Sequence, residues 1–171
     1  MKTAKVTVVP YDPKWKTDFE KIRAEIAHTL GDLAIAIEHV GSTAVEGLSA
    51  KPCIDIDVVI RDGSVFAAVK DALAGIEYIH EGDLGIPGRE AFAYSDKPHL
   101  QKHHLYVCPA GSEELHRHIT FRDHLRRSPE AVREYSEIKE KAAHLFPEDI
   151  DAYMKYKAPC IQKLYKLCGL L

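Results

Sequence analysis

The stretch that decides the fold is His39-Val40-Gly41-Ser42-Thr43, followed at short range by Lys51-Pro52-Cys53-Ile54-Asp55-Ile56-Asp57-Val58. The first run predicts a strand that ends abruptly at Gly41-Ser42, and the second run predicts another strand that carries two carboxylates. Because side chains alternate between the two faces of a strand, Asp55 and Asp57 should project from the same face. This order of strand, Gly-Ser turn and strand predicts that the turn and both acids lie at one end of the same cleft.

The paired acids indicate a metal site. Two carboxylates held side by side on a strand repel each other unless a cation lies between them. Such oxygen ligands suit Mg²⁺, with Mn²⁺ as an alternative, and Mg²⁺ completes its coordination with water and substrate phosphate. The backbone N–H groups of Gly41, Ser42 and Thr43 would bind phosphate at the start of a helical turn. The competing interpretation, two acids on a solvated edge strand, is disfavoured by the nearby Gly-Ser turn.

Around this stretch, the hydrophobic periodicity predicts strands and helices in the first two thirds of the chain and helices alone in the last third. The predicted strands are 34–40, 53–60, 76–80, 91–94 and 103–108, and the predicted helices are 14–30, 64–73, 113–126, 129–144 and 150–167. With no repeat or linker, we expect one domain over residues 1–171, with a sheet-containing part (1–111) and a helical part (112–171). The fold class is therefore α/β or α+β, a mixed sheet with flanking helices and a C-terminal helical cover.

The composition of the chain restricts which binding partners and which cellular compartment we expect. Lys and Arg number 23 and Asp and Glu number 26, so the formal charge of −3 gives no general support for a nucleic-acid partner and favours a small acceptor. No apolar run is long enough to span a membrane, and the N-terminus lacks the apolar core of a signal peptide. The four cysteines have no CxxC spacing, which is typical of reduced thiols in a cytoplasmic protein.

The Gly-Ser turn followed by Asp-x-Asp resembles the signature of the nucleotidyltransferase superfamily. Motifs in the same order along nearly the whole chain resemble the GrpB family: Pro10-Tyr11-Asp12-Pro13, residues 39–48, residues 51–57, Gly85-Ile86-Pro87-Gly88-Arg89, His103-His104-Leu105 and Phe121-Arg122-Asp123. The resemblance implies a nucleotidyltransferase-like mixed sheet, and it implies no particular substrate.

One departure from active nucleotidyltransferases concerns the third carboxylate that they commonly hold on a later strand. The corresponding strand here, around residues 103–107, offers histidines instead. A different metal arrangement, a base in place of a ligand, and lost catalysis all remain open. Of the two histidines, we expect His104 to face the site as a catalytic residue and His103 to be buried. Zinc is disfavoured, because no HxxxH or HExxH spacing is present.

Several cations are candidates for binding phosphate. Arg122 lies seven residues after Leu115 on the face of its helix that should meet the core, where it would contact either a phosphate or Asp123 in a structural pair. Lys157 falls inside an apolar stripe, so it either extends its ammonium to the surface or meets an anion. Lys139 also lies among apolar residues at helical spacing, but the pattern around it is weaker. Lys51, just before the Asp strand, and Arg89, in the glycine-rich loop, would contact phosphate unless they are mobile surface residues.

These features predict a Mg²⁺-dependent enzyme that moves a nucleoside monophosphate from a nucleoside triphosphate to a small acceptor. Asp55 and Asp57 would hold the metal, and the turn and the cations would bind the phosphates. The first alternative is a non-catalytic module that binds a nucleotide or a phosphorylated metabolite in the same pocket. The second alternative is a metal phosphohydrolase assisted by histidine, which would release phosphate without an acceptor.

Overall fold

The computed structural model describes residues 5–171, and within them it has five α-helices and five strands. In chain order these are α1 (Lys14–Leu30), β1 (Ala36–Val40), β2 (Ile54–Ile60), α2 (Phe66–Ala74), β3 (Ile79–Gly82), β4 (Glu90–Ala93), β5 (His103–Pro109), α3 (Glu113–Arg127), α4 (Pro129–Leu145) and α5 (Ile150–Leu167). Every predicted element is present. Across residues 5–171, no helix combines the length and the apolar character needed to cross a membrane.

The five strands form one mixed sheet in the order β1-β2-β5-β4-β3. Strands β2 and β5 run parallel, and the other neighbours are antiparallel. The Asp-bearing strand β2 therefore lies between two partners, β1 and β5, and it is not an edge strand. Asp55 lies opposite Val40 on β1 and opposite His104 on β5.

The two faces of the sheet have different covers. Ile54, Ile56 and Val58 of β2 enter the main core, where α1 contributes Ile22 and Ile26. The opposite face meets the helical part, because Val59 packs with Cys108 and Leu115 at the start of α3. A further core, which includes Leu125, Tyr135 and Leu164, joins α3, α4 and α5. The alternation along β2 therefore turns its two acids toward the C-terminal helices, which form the predicted cover.

The helices that face the acids begin at side-chain caps. Ser128 and Asp149 accept hydrogen bonds from the backbone N–H groups of Ala131 and Ala152, at 3.2 and 3.0 Å. Pro129 follows Ser128 at the first helical position, where its missing N–H costs nothing. Each cap contributes about 1 kcal/mol. The caps fix where α4 and α5 begin, and thus which of their side chains face the sheet.

The largest departure from the predicted boundaries is at β3, which the sequence pattern predicts at 76–80 and which the structure has at Ile79–Gly82. The chain turns after α2 through Gly75-Ile76-Glu77, and Glu77 adopts a φ of 70°, in the left-handed region. Tyr78 is then buried in the core before the strand begins. Hydrophobicity alone does not distinguish such a buried turn from the first residues of a strand.

Candidate functional site

The Gly41-Ser42 turn lies directly against Asp55. Gly41 has a φ of 73°, and a Cβ built on it would lie 2.3 Å from Oδ2 of Asp55. Only glycine both adopts this backbone conformation readily and leaves room for the carboxylate. The turn continues into a short 3₁₀ helix, Ser42–Ala44, whose Thr43 hydroxyl is hydrogen-bonded to Nε2 of His39 at 2.9 Å. The side chain of Thr43 is thus engaged inside the protein.

Asp57 lies deeper than Asp55, beneath α3. Its carboxylate is fully buried, and Oδ2 is 2.6 Å from Nδ1 of His118. The other ring nitrogen of His118 lies 3.1 Å from a carboxylate oxygen of Glu114. Oδ1 of Asp57 is buried and has no hydrogen-bond partner within residues 5–171. The alternation of β2 predicts one shared face for both acids, but His118 covers Asp57, and only Asp55 reaches the cleft wall.

The surroundings of Asp57 and His118 shift the pKa of both residues. Burial raises the pKa of Asp57, and the hydrogen bond from His118 opposes that rise without cancelling it. Burial by itself would lower the pKa of His118, but the hydrogen bond to Asp57 and the charge of Glu114 together raise it. The His118 ring is therefore held between two carboxylates.

Strand β5 brings His104 to Asp55. Nδ1 of His104 lies 2.9 Å from Oδ1 of Asp55, and this hydrogen bond, together with one to Cys53, raises the pKa of His104 to about 10. Cys53 precedes Asp55 by two residues. One ligand atom from each of Cys53, Asp55 and His104 lies within 4.8 Å of the others. His103 points to the opposite face, where its Nε2 is 2.7 Å from the Tyr78 hydroxyl, and burial lowers its pKa.

Three lysines face the same cleft. Lys139 is buried, contacts the Ser42 hydroxyl, and lies 3.3 Å from the Ser49 carbonyl oxygen. Burial, with the charge of Lys157 adding to it, lowers the pKa of Lys139 to about 7. Burial also lowers the pKa of Lys157, to about 8, and lowers that of Lys51. In the part of the chain that the structure describes, none of the three forms an ion pair with a carboxylate.

The aromatic ring of Tyr153 lies between two of these lysines. The Nζ atoms of Lys157 and Lys51 lie 4.4 and 5.0 Å from its centroid. Nζ of Lys139 lies 4.4 Å from the centroid of Tyr135. Contacts of a cation with an aromatic face offset part of the cost of removing the ammonium groups from water. The positive charge of the cleft is therefore held in place by α4 and α5.

The resulting cleft has a volume of about 210 Å³. Its lining consists of Ser42, Thr43, Ala50, Lys51, Cys53, Asp55, His104, Lys139, Tyr153 and Lys157. A second pocket of about 210 Å³ also contains Ser42 and Asp55 in its lining, and there Phe121, Tyr135 and Tyr165 supply aromatic surface. Ser42 and Asp55 thus lie where a cationic pocket and an aromatic pocket adjoin.

The two predicted arginines have different surroundings. Arg122 contacts Oε2 of Glu38 at 2.7 Å, Oδ1 of Asp123 at 3.0 Å and the His39 carbonyl oxygen at 3.1 Å. Its side chain is only 10% exposed, so the structure favours the structural pair over the phosphate role, although Arg122 lines the aromatic pocket. Arg89 packs over the Tyr106 ring at 4.1 Å, with its Nε buried and without a partner among the described residues.

The sequence motifs do not single out His118, although its spacing carries a signal. His118 lies three residues after Leu115 and four before Arg122, so helical spacing places it on the inward face of α3. Lys139, the weakest lysine candidate by sequence, is the most buried of the three lysines. Cys53 and Tyr153 carry a local signal that the motifs do not single out, since Cys53 lies two residues before Asp55, at strand spacing, and Tyr153 lies four residues before Lys157 on its helix.

Comparison with known proteins identifies the class and then the family. The fold matches a crystal structure of the Cid1 poly(U) polymerase bound to MgATP with a TM-score of 0.53, at 9% identity, over 77% of this chain and 45% of that one. It is a nucleotidyltransferase-like fold. A model of the GrpB protein family matches residues 5–167, so the chain belongs to the GrpB family.

Two relatives support this assignment. A crystal structure of GrpB from Enterococcus faecalis aligns with a TM-score of 0.82 and 30% identity, covering 95% of this chain and 96% of that one. The UPF0157 protein YqkA of Bacillus subtilis is 30% identical over 90% of this chain. The chain spans 44% of the length of YqkA.

Proposed function

We propose that this chain binds a nucleoside triphosphate as its magnesium complex and transfers the nucleoside monophosphate to a small acceptor. One observation carries the proposal: the Gly41-Ser42 turn packs on Asp55 in a cleft whose lysines have no carboxylate partner within residues 5–171. Unpaired buried cations are costly, and an anionic ligand such as a polyphosphate would neutralise them.

The acids fit a magnesium ion, with manganese as an alternative. Asp55 reaches the cleft, and Oδ1 of Asp57 is a buried oxygen without a partner among the described residues. Such an unsatisfied group costs about 1–3 kcal/mol. Because Oδ2 of Asp57 already contacts His118, Oδ1 is the atom left for an ion. When bound, Mg²⁺ would polarise a phosphoryl oxygen and neutralise developing charge.

The lysines would bind and orient the phosphates. Lys139 and Lys157 have lowered pKa values in the free protein, because burial disfavours their charged forms. A bound polyphosphate would favour the charged forms, so binding would include the uptake of protons. Ser42 contacts Lys139 and would reach a phosphate oxygen from the turn. The adjoining aromatic pocket would hold either the base or the acceptor.

A second candidate function is binding without transfer. The position opposite Asp55 on β5 holds His104, an imidazole, in place of the carboxylate that active members of the superfamily commonly have. His118 also covers Asp57. Both observations favour a pocket that keeps the nucleotide-binding parts and performs no transfer.

The experiment begins with ligand binding. Purified protein is screened by calorimetry and thermal shift against the four nucleoside triphosphates, with and without Mg²⁺. The matched variants are Lys157→Met, in the cleft, and Lys163→Met, on the same helix but exposed and paired with Glu134. We expect Lys157→Met to weaken binding at least tenfold and Lys163→Met to leave it unchanged. If no nucleotide binds to the wild type, the proposal is wrong.

The chemistry is then measured with a panel of small acceptors. Release of pyrophosphate that depends on an acceptor supports the transferase. Release of orthophosphate without an acceptor indicates the histidine-assisted phosphohydrolase. Tight binding with neither product supports the non-catalytic module.

A further inference from the structure

Three side chains that line the cleft carry three different donor atoms. The Cys53 sulfur, an Asp55 oxygen and a His104 nitrogen lie within 4.8 Å of one another. Asp55 and His104 are register partners on the parallel strands β2 and β5, and Cys53 precedes Asp55 by two residues. Strand pairing therefore fixes the backbone under Asp55 and His104, and Cys53 directly precedes the strand, with its backbone N–H donating to the Lys51 carbonyl oxygen at 2.7 Å.

The chemistry of this set differs from that of a magnesium site. Mg²⁺ selects oxygen ligands, whereas thiolate and imidazole favour ions of intermediate softness, and Zn²⁺ takes cysteine, histidine and aspartate together. We propose that Cys53, Asp55 and His104 form a zinc-type metal site that leaves a fourth position open toward the lysines of the cleft. Three protein ligands and one open position are the pattern of reactive zinc sites, since structural sites have four.

The three donor atoms would need to move only slightly to bind a zinc ion. Ligand bonds of 2.0–2.3 Å place neighbouring ligand atoms of a tetrahedral zinc site about 3.4 Å apart. The present separations range from 2.9 Å, between His104 and Asp55, to at most 4.8 Å. The His104 side chain is 55% exposed and Cys53 is half-buried, so both can rotate without disturbing the core. The hydrogen bond between His104 and Asp55 holds these two donors together in the metal-free protein.

The charges also suit such an ion. A thiolate and a carboxylate together neutralise a divalent cation, and the imidazole of His104 adds no charge once it has released the proton that its raised pKa retains in the metal-free protein. Lys51, Lys139 and Lys157 face the same cleft, so the fourth ligand would be an anion, such as a phosphate oxygen. A sequence motif cannot reveal this site, because 49 residues separate Asp55 from His104.

Cys53, Asp55 and His104 all line the cleft of the proposed nucleotide site, but this inference does not rest on nucleotide binding. The two are tested separately, because zinc binding is measured on the chain without any nucleotide. Asp57→Asn should leave zinc binding intact while weakening the binding of Mg²⁺-nucleotide. Cys53→Ser should weaken the binding of Zn²⁺ in the absence of any nucleotide.

The principal experiment uses Co²⁺ as a spectroscopic probe of chelator-treated protein. We expect one equivalent to bind with a thiolate-to-cobalt charge-transfer band, which Zn²⁺ then displaces. Cys53→Ser should remove the band and weaken Zn²⁺ binding by more than about 100-fold, since the loss of a residue that merely supports a ligand costs 10–100-fold. Cys168→Ser is the matched control, because Cys168 is also half-buried and its thiol donates a hydrogen bond to the Tyr165 carbonyl oxygen, outside the cleft lining. A wild type that binds Co²⁺ without the band, or no better than Cys53→Ser, overturns the proposal.

A second measurement needs no variant. Alkylation of the wild-type cysteines is followed by mass spectrometry with and without one equivalent of Zn²⁺, and Cys168 serves as the internal reference. We expect Zn²⁺ to slow the modification of Cys53 at least tenfold and to leave Cys168 unchanged. Equal rates at Cys53 with and without Zn²⁺ contradict the site, whatever the variants show.

Discussion

The buried ammonium of Lys139 makes the stability of the protein depend on pH. Its ammonium is buried and has no carboxylate partner within residues 5–171, so desolvation lowers its pKa from 10.5 to about 7. The unfolded chain therefore binds more protons than the folded chain between pH 7 and 10. Stability must rise with pH in that window, and the cost of the buried cation is fully present below pH 7. At about 1.4 kcal/mol per pKa unit, that cost is a few kcal/mol.

We predict that Lys139→Met is more stable than the wild type at pH 7 in the absence of ligand. The difference should shrink as the pH approaches 9.5, where the wild-type lysine is neutral in the folded protein. Denaturant unfolding at several pH values measures it, and Lys163→Met, an exposed lysine, is the control that should track the wild type. A difference that is constant or grows with pH would show that Lys139 is not destabilised by its charge.

Gly41 is the second residue whose environment makes a sharp prediction. Gly41→Ala forces a Cβ to 2.3 Å from Oδ2 of Asp55, so the carboxylate must move. Gly31→Ala is a matched control, because Gly31 has a φ of 52° and nothing lies within 4 Å of the place that its Cβ would take. Both positions have positive-φ conformations that are sparsely populated by residues other than glycine, so both variants carry backbone strain of about 1–3 kcal/mol. Only Gly41→Ala should also lose Mg²⁺-nucleotide binding, as measured by calorimetry. Equal binding losses in both variants would contradict a specific role for the turn.

At the scale of elements, α3 is joined to the sheet by two polar contacts one turn apart. His118 contacts Asp57 on β2, and Arg122 contacts Glu38 on β1. We predict that Arg122→Met lowers the free energy of unfolding by about 2 kcal/mol, because it leaves the His39 carbonyl oxygen and two partly exposed carboxylates without a partner. A double-mutant cycle with Glu38→Gln measures the interaction energy between Arg122 and Glu38.

The same variant separates the two interpretations of Arg122. If it braces α3, nucleotide affinity should fall less in Arg122→Met than in Lys157→Met. A loss of affinity equal to that of Lys157→Met, with no loss of stability, would instead support a phosphate contact.

The elements also show which features the sequence could predict. Helices α1 and α5 match the predicted bounds at both ends, because apolar periodicity and a cap or breaker agree there. Asp55, Ser42 and Lys157 could be found because local motifs and helical spacing mark them. Helical spacing also marks His118 and Lys139, but their partners Asp57 and Ser42 lie 61 and 97 residues away, and no local pattern identifies those contacts. The depth of Asp57 likewise depends on α3, which packs over one acid and leaves the other open.

At the scale of the whole molecule, a chain with a formal charge of −3 concentrates uncompensated positive charge in one cleft. The acidic surface should repel polynucleotides, while the cleft attracts a small polyanion. The net negative charge of the chain and the positive charge of the cleft act over different ranges. Salt screens exposed charges beyond about 8–10 Å, and it screens buried charges much less. If the chain binds a nucleotide as proposed, we expect its preference for a small polyanion over a nucleic acid to depend on where the charges lie as well as on their sum.

The last prediction concerns the protons that accompany binding. At pH 8 in the free protein, Lys139 is mostly neutral and Lys157 is about half protonated, from pKa values of about 7 and about 8. Inorganic tripolyphosphate, used as the probe, should restore both charges, so binding should take up protons and tighten as the pH falls from 9 to 6.5. Calorimetry in buffers of different ionisation enthalpy counts the protons, and Lys139→Met should reduce the count by nearly one. Proton release, or affinity that rises with pH, would mean that the lysines of the cleft do not meet the anion.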